Sequence, residues 1–516
     1  MRTGILTGLI AGIAAFILAV PGALSNADFA YMCAGGSLLD QGILPVTPYF
    51  PPGYPLILWA LVKLGLSALT AGILLSAAGI ALCAGAVACM ARLHDVPPAV
   101  AFALGLLGAT LPDVFEIGFN PHLDALFTGV AVAFIALAFR LMARDSSAWF
   151  SAGAGVLAAL LLLLRYHAVF IVLPVTLVLL FNRLPSCRRA AATVFILGGL
   201  AAGWSFWSLN VTTGSFETAA LKQVTTGAAY RTHGAGYADE IFDDYPHWLA
   251  NAPAATSADV MEGVRTNWPQ FLKRKAVILG ILCWLAVLIA FARLPAGSPL
   301  MLLFIFGYTL VLSPTYFTPR ASALPELVAI LLIAASLGVL FASQTGEQKT
   351  ERDLPNPLIL APVLFLLLLC GIGYNCWREA KVIQSWRSDH ARITAMSAEV
   401  RELAGGDRLQ VLGAIDATWT DDGEWCLPGA VYSRLWLDDP QVAPLVKQLV
   451  PRYGDDEIVR GEAPVAAILL WEEHHGRPGR RHELELIERL ESSWAWDERI
   501  AGESGARVFV RKGHGY

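Results

Sequence analysis

The chain contains few charged residues for its length. Only 15% of its 516 residues are Asp, Glu, Lys or Arg, whereas a typical soluble domain has about 25%. The mean hydropathy is +0.55, so most of the chain is expected to lie in a lipid bilayer. The formal net charge is −5, and no run of Lys or Arg indicates a nucleic-acid partner.

The sequence also lacks the cysteine and histidine spacings of a metal site. It has eight cysteines and no C-x-x-C motif. Half of the cysteines lie in apolar segments, where the thiol behaves as a small hydrophobic group. No resident metal or cofactor is predicted from these residues.

Long apolar runs are abundant, and about 20 apolar residues are needed to cross a bilayer. This length predicts about eleven transmembrane helices: 4–24, 67–91, 97–117, 121–143, 148–164, 168–182, 190–210, 276–292, 298–314, 321–341 and 358–376. A cleaved signal peptide is the alternative for the first run, but its apolar core is longer than that of a typical signal. The predicted fold class is therefore mainly α, with many membrane spans.

The distribution of Lys and Arg predicts the orientation. With a cytoplasmic N-terminus, basic residues collect on the inner side, as the positive-inside rule requires. These inner residues are Arg92, Arg140, Arg144, Arg183, Arg188, Arg189, Arg293, Lys349 and Arg352. Loops 25–66 and 211–275 and the C-terminal region then face outward, to the periplasm or its equivalent, which predicts that the protein acts at the outer face of its membrane.

The composition changes near Trp377 to that of a soluble domain. We therefore predict a membrane domain over 1–376 and a periplasmic α/β domain over 377–516. An amphipathic helix is expected over 379–403. Strands are expected at 408–415, 463–471 and 507–512, and helical segments near 440–450 and 480–491.

The first outer loop carries the strongest functional signal. Asp28 follows the first apolar run within about one helical turn. It can act as a general base toward an acceptor hydroxyl at the membrane surface. The alternative is a first-turn acid that is stabilised by the dipole of its own helix.

A segment rich in Pro and Tyr follows, with the sequence YFPPGYPLILWALVK over 49–63. Its double proline predicts a helix start. Leu56, Trp59, Ala60 and Lys63 share one face of that helix, as in an interfacial amphipathic helix. For Lys63 the preferred interpretation is a membrane anchor that reaches toward the headgroups.

These motifs resemble the GT-C glycosyltransferases, in particular the bacterial branch related to protein mannosyltransferases and lipid A aminoarabinose transferases. The similar features are an Asp in the first outer loop, an Ala/Gly-rich helix and the Y-x-PP-x-YP segment. Weaker similarities extend over nearly the whole chain: FNPHLDALFTG (119–129), LLLLRYHAVFIVLP (161–174) and TPRASALPELVAILLI (318–333). The sequence departs from the family at Phe50, where relatives often carry a charge, and at Ala27 and Phe29, where a second acid is common.

The resemblance implies an enzyme that moves a sugar from a polyprenyl-phosphate donor to an envelope glycan, lipid or protein acceptor. Asp28 would be the base. The implied substrate-binding residues are Asp124, His122, Arg165, Arg320, Tyr49, Tyr54 and Lys63. The two arginines would face the phosphate, with snorkelling toward headgroups as the alternative.

Asp124 and His122 would orient the acceptor or hold a divalent cation such as Mg²⁺ or Mn²⁺, unless Asp124 is only a helix-start acid. Asp113 and Glu116 are assigned as charges of the outer loop. The rival functions are a flippase or transporter of lipid-linked material and a non-catalytic envelope assembly protein. A transporter is expected to place ionisable residues deep within its spans.

Overall fold

The fold is a helical bundle followed by a small sheet. The computed structural model describes residues 2–20, 39, 46, 51–119, 121–143, 145–214, 216, 218, 257–291, 298–313, 319–345, 357–403, 411–412, 456, 459–462, 467–471, 488–500 and 506–512. Everything reported below about the structure concerns these residues.

The first ten helices are α1 (Arg2–Leu18), α2 (Gly53–Lys63), α3 (Ala68–Leu93), α4 (Pro98–Ala109), α5 (Pro112–Gly118), α6 (Leu123–Ala143), α7 (Ala148–Leu164), α8 (Val169–Phe181), α9 (Pro185–Thr193) and α10 (Gly199–Thr213). A 3₁₀ turn, Tyr166–Ala168, joins α7 to α8, and a π-helical turn, Val194–Gly198, joins α9 to α10. The helices described beyond residue 256 are α11 (Ser257–Leu272), α12 (Lys275–Phe291), α13 (Ser298–Leu312), α14 (Pro319–Thr345) and α15 (Pro357–Leu403).

Five of the described helices are long and apolar enough to cross a membrane: Ala68–Leu93, Leu123–Ala143, Pro185–Thr212, Ala321–Phe341 and Ile359–Ser388. The number is six if the bent pair α4 and α5 forms one span, and further apolar helices such as α1, α7 and α8 are shorter. The structure is therefore that of a multi-pass membrane protein. The predicted total of eleven spans stays a prediction.

The predicted span 97–117 differs from the observed structure. It consists of two helices, α4 and α5, that meet at an angle of 68°. Pro112 is the first residue of α5, and its missing N–H and fixed φ favour a new helix start at that position. The bend turns α5 across the end of the bundle.

A second difference concerns the end of the membrane domain. The predicted span 358–376 and the predicted helix 379–403 form one helix of 47 residues, α15. The domain boundary predicted at residue 377 thus falls inside a continuous helix. The N-terminal half of α15 exposes large apolar side chains. Further along the helix, beyond the predicted span 358–376, Ile383 and Trp386 are buried in the core.

The helix α3 forms the centre of the bundle, where it packs against α1, α4 and α6. Small residues allow this close approach. A Cβ atom on Gly79 would lie only 2.2 Å from the carbonyl oxygen of Ala125, and one on Gly129 would lie 2.3 Å from the carbonyl oxygen of Gly79. Close backbone contact of this kind is how membrane helices gain packing energy without a hydrophobic driving force.

The short helix α2 begins after the double proline, as predicted. Tyr54 and Leu58 are buried against the bundle, whereas Lys63 is exposed at its C-terminal end. The Lys63 ammonium lies 5.8 Å from the centre of the Trp59 ring, a cation–π distance.

The C-terminal region contains a four-stranded sheet of β1 (Val411–Leu412), β2 (Ala467–Trp471), β3 (Trp496–Ile500) and β4 (Ala506–Arg511), in the order β1-β2-β4-β3. β1 and β2 are parallel, and the other pairs are antiparallel. Strands were predicted at the positions of β1, β2 and β4, but β3 was missed. The predicted helix near 440–450 lies outside the described residues, as does most of the one near 480–491.

Candidate functional site

Polar side chains gather at one end of the bundle, which we call the site end. It is the end at which α1 stops and α6 begins. The backbone N–H of Val20, just after α1, donates to the carbonyl oxygen of Phe119 at 3.3 Å. Phe119, directly after α5, therefore lies beside the end of α1.

The centre of the site end is an ion pair between Asp124 and Arg165. The guanidinium Nη2 of Arg165 donates to Oδ1 of Asp124. Asp124 lies in the first turn of α6, and Arg165 ends α7 with an extended backbone. The side chains are only 20% and 12% exposed, so the pair is largely shielded from water and strongly coupled.

His122 links the ion pair to α3 through contacts with Ser76 and Asp124. Its backbone N–H donates to Oγ of Ser76 at 2.8 Å, which ties the turn to α3. Its Nδ1 accepts a hydrogen bond from the backbone N–H of Asp124 at 3.0 Å and lies 3.5 Å from Oδ2 of the same residue. Because Nδ1 accepts, that nitrogen carries no proton. His122 is buried and orients Asp124.

An apolar cavity begins close to the ion pair. The ring of His167, two residues after Arg165, lies between Phe127 at 5.1 Å and Tyr308 at 6.2 Å between ring centres. Tyr308 lines a cavity of about 240 Å³ between α6, α8 and α13. Its other walls are formed by Ile135, Ala138, Phe139, Phe170, Pro174, Val175, Met301, Phe304, Gly307 and Val311.

The predicted site residues are thus brought together in part. The structure assembles Asp124, His122 and Arg165 into one cluster. Tyr54 is fully buried in the adjoining core, and Lys63 lies at the exposed end of α2.

The other predicted residues are outside what the structure describes. Asp28 and Tyr49 lie outside the described residues. Arg320 belongs to the first turn of α14, but its side chain is not among those described. Their predicted roles remain predictions.

The assignment of Asp113 as a loop charge was wrong, because it lies in the helix α5. Asp113 is buried, and its carboxylate lies 3.3 Å from Nε of Arg274. Glu326 on α14 and Glu379 on α15 are buried as well. Sequence analysis missed both of these acids. For Glu326 the available signal was a single acid within a long apolar run, which is costly unless the group has partners.

The described residues contain no group of three or more His, Cys, Asp or Glu side chains that is placed to hold a metal ion. Nδ1 of His122 is already used by the backbone of Asp124.

The fold is similar to those of two solved proteins, and each similarity extends over nearly the whole of this chain. The chain superposes on ArnT from Cupriavidus metallidurans bound to undecaprenyl phosphate with a TM-score of 0.51 and 14% identity, over 98% of this chain and 97% of that one. The apo form of ArnT gives a TM-score of 0.53.

A second similar structure is the archaeal oligosaccharyltransferase AglB from Archaeoglobus fulgidus, in complex with an inhibitory peptide and a dolichol-phosphate. It superposes with a TM-score of 0.51 and 12% identity, over 99% of this chain and 74% of that one. No protein-family model matches the sequence, and no curated protein matches it significantly. At 14% and 12% identity, these two superpositions establish a similar fold and nothing more.

Separating Asp124 from Arg165 is expected to destabilise the protein. Either Asp124→Asn or Arg165→Gln leaves a largely buried charge without its partner, which should lower the free energy of unfolding by about 3–5 kcal/mol. The double variant should lose clearly less than the sum of the two, because the second change removes the stranded charge. Denaturant unfolding in detergent micelles measures the free energy of unfolding of the wild type, the two single variants and the double variant.

The matched control is the ion pair of Arg189 and Asp145. Its nitrogen and oxygen are 3.7 Å apart, and the side chains are 50% and 56% exposed. Arg189→Gln should therefore change the free energy of unfolding by less than about 1 kcal/mol. Strictly additive effects at Asp124 and Arg165 would contradict the proposed coupling.

Proposed function

We propose that this protein is a glycosyltransferase of the bacterial inner membrane. It would transfer a sugar from a polyprenyl-phosphate donor to an envelope glycan, lipid or protein acceptor at the outer face. The N-terminus would be cytoplasmic, and the C-terminal region periplasmic. The fold supports the general class, whereas the donor, the acceptor and the mechanism are proposals drawn from the site.

The observation that carries the proposal is that the chain is held on both sides of Asp28. Val20, before Asp28, bonds to Phe119, only five residues from Asp124. Val46, after Asp28, is buried in one apolar cluster with Tyr166, the neighbour of Arg165. The segment that carries Asp28 therefore starts and returns beside the ion pair.

The distances along the chain are compatible with this arrangement. Asp28 is the eighth residue after Val20, and eight extended residues reach at most about 29 Å. A close contact also holds the start of α2. A Cβ atom on Gly53 would lie 2.4 Å from the carbonyl oxygen of Leu163, two residues before Arg165. These contacts favour an Asp28 carboxylate that acts near the Arg165 guanidinium.

In the proposed reaction Asp28 removes the proton from the acceptor hydroxyl as its oxygen attacks the anomeric carbon. The bond from that carbon to the phosphate oxygen breaks, and the configuration is inverted. Polyprenyl phosphate leaves with the bonding electron pair. Charge develops on the leaving phosphate, and cationic donors held close to it lower the barrier.

Arg165 is the described cation that is best placed for this task. A guanidinium has five N–H donors, so Arg165 can bind Asp124 and still donate to phosphate oxygens. The carboxylate would then hold the guanidinium in a fixed orientation. Arg320, at the start of α14, would supply a second cation, and a divalent cation is a further candidate for the same role.

The apolar cavity suits the hydrocarbon part of the donor. It lies between α6, α8 and α13, and its wall at Tyr308 adjoins His167 and thus the region of Arg165. Its lining is almost entirely apolar, as a polyprenyl chain requires. A polyprenyl-phosphate donor would thus place its phosphate at the Arg165 guanidinium and its hydrocarbon chain in the cavity.

Asp28→Asn should abolish transfer. Asparagine keeps the shape but cannot accept the proton, so turnover is expected to fall by roughly 100- to 10,000-fold. The measurement is transfer from a panel of radiolabelled polyprenyl-phosphate sugars by the purified protein, with envelope extract as the acceptor source and with EDTA in a parallel series.

The control is Asp95→Asn, at the opposite end of α3. Asp95 has a positive φ of 60°, which asparagine also tolerates, so this variant should keep wild-type turnover. If folded wild-type protein consumes no donor, or if Asp28→Asn retains full turnover, the proposed mechanism is wrong. Lipid flipping in vesicles would then be measured.

Gly307→Leu should weaken binding of long-chain donors. Nothing lies within 4 Å of a Cβ atom at Gly307, and this glycine lines the cavity. Leucine would thus occupy the cavity without a clash at its Cβ atom. We expect KM for a full-length polyprenyl donor to rise about tenfold, which corresponds to about 1.4 kcal/mol of lost binding, while kcat changes little.

A donor with a two-isoprene chain should be affected far less, since it fills less of the cavity. Gly203→Leu is the matched control, because Gly203 on α10 also has open space around it but does not line the cavity. Equal effects of Gly307→Leu on long and short donors would contradict the assignment of this cavity to the donor chain.

A further inference from the structure

The end of the bundle opposite the site end carries a group of exposed basic side chains. Helix α6 begins at the site end, so its last residue lies at this opposite end, beside the turn into α7 and the turn between α8 and α9. The segments 140–151 and 181–193, which contain these turns, hold one acid, Asp145, and five arginines: Arg140, Arg144, Arg183, Arg188 and Arg189. The last three are exposed, and we call them the basic patch.

The basic patch stands on a hydrogen-bonded frame that joins the two turns. Oδ1 of Asp145 accepts from the backbone N–H of Ser146 at 3.2 Å and from that of Ser186 at 3.1 Å. Nη2 of Arg189 donates to the carbonyl oxygen of Ser146 at 3.1 Å. Oγ of Ser151 donates to the carbonyl oxygen of Ser186 at 3.0 Å. The backbone under the patch is therefore fixed, and the acid of these segments is already used in fixing it.

Arg183 and Arg188 make no side-chain hydrogen bond or ion pair with the described residues. They also lie close together along the chain. The backbone N–H of Arg188 donates to the carbonyl oxygen of Leu184 at 3.3 Å, so one helical turn separates Arg188 from the neighbour of Arg183. Two guanidinium groups so placed can bind the oxygens of a single phosphate group.

An exposed apolar strip continues from the patch along the membrane-spanning helix Pro185–Thr212. Arg188, Ala192 and Phe195 follow the i, i+4, i+7 spacing of one helix face, and all three are exposed, Phe195 to 78%. Phe195 lies about 10 Å along the helix from Arg188, at 1.5 Å per residue. On α8, Phe181 is 81% exposed just before Arg183. The strip thus begins with guanidinium groups and continues with hydrocarbon.

Trp149 indicates where the bilayer surface crosses this region. Its side chain is 85% exposed, and it follows Ser146, which Arg189 binds, by one helical turn. Exposed tryptophans of membrane helices favour the level of the lipid headgroups. Arginines at that level with an apolar strip beside them match the two parts of a phospholipid, its phosphate and its acyl chain.

The charge of the region favours an anionic phospholipid over a zwitterionic one. Basic clusters next to membrane helices attract anionic headgroups, whereas a zwitterionic headgroup brings no net charge. The rival interpretation is that these arginines only set the orientation of the helices during insertion. Residues with that role alone need no bound lipid in the folded protein.

We propose that the basic patch is a binding site for the headgroup of an anionic phospholipid. Arg183 and Arg188 bind its phosphate, and one acyl chain lies along Ala192 and Phe195. The site is at the opposite end of the bundle from Asp124 and Arg165, and it does not depend on the proposed transferase activity.

Quenching of Trp149 by brominated lipids tests this proposal on the full-length protein. The protein is reconstituted in phosphatidylcholine vesicles that contain a small fraction of phosphatidylglycerol or phosphatidylcholine brominated near the headgroup. Because the chain has 15 tryptophans, the signal of Trp149 is the difference between each protein and its Trp149→Phe counterpart. Wild type should prefer phosphatidylglycerol at Trp149 at least about fivefold.

The double variant Arg183→Gln/Arg188→Gln should lower this preference to below about twofold. Arg140, Arg144 and Arg189 remain at this end, so the charge bias that sets the orientation is kept. Arg183→Lys/Arg188→Lys keeps both charges and should retain most of the preference. The matched control is Arg2→Gln, which removes an exposed charge at the start of α1, at the same end of the bundle, and should change nothing.

Three results would overturn the proposal. The first is equal quenching of wild type by the two brominated lipids, and the second is an unchanged preference in the double glutamine variant. The third is a loss in Arg2→Gln as large as that in Arg188→Gln, which would show a general effect of surface charge rather than a site. Arg188→Gln changes one exposed side chain, so this last comparison stands even if the double variant does not fold.

Discussion

The cost of placing charge in hydrocarbon is the constraint on which this structure depends. An isolated charge within the bilayer costs several kcal/mol, so charges must lie at the membrane edge or be paired. The described structure follows both rules: Arg165 ends α7 and pairs with Asp124, and Asp113 pairs with Arg274. These pairs lie at the same end of the bundle. The site end of the bundle is therefore polar, and ion pairs hold its charged side chains in place.

The fold was largely predictable because the length of each apolar run predicts a helix. The differences from the structure arise where that length does not determine where a helix bends or ends. The bend between α4 and α5 depends on Pro112 within an apolar run, and the continuity of α15 depends on packing by Ile383 and Trp386 rather than on hydropathy. Strand β3 contains three successive charged residues, and only Trp496 of its described side chains is buried, so the sequence gives a weak strand signal.

The site was predictable where a residue stands out from its surroundings. Arg165 interrupts an apolar run and Asp124 opens a helix, and the resemblance of their segments to the GT-C family identified both as candidate site residues. Their direct contact was not predictable, because it depends on how α6 and α7 pack. The burial of Asp113 was missed because its partner Arg274 lies more than 150 residues away in sequence. Buried ionic partners that are remote in sequence leave no local pattern.

The central claim is that Arg165 holds the phosphate of a polyprenyl donor while the apolar cavity holds its chain. The most direct test is an electron cryo-microscopy structure of the full-length protein with saturating undecaprenyl phosphate. We expect the phosphate of the bound lipid within hydrogen-bonding distance of the Arg165 guanidinium and its hydrocarbon chain between α6, α8 and α13. A phosphate bound elsewhere, with the cavity empty and Arg165 contacting Asp124 alone, would contradict it.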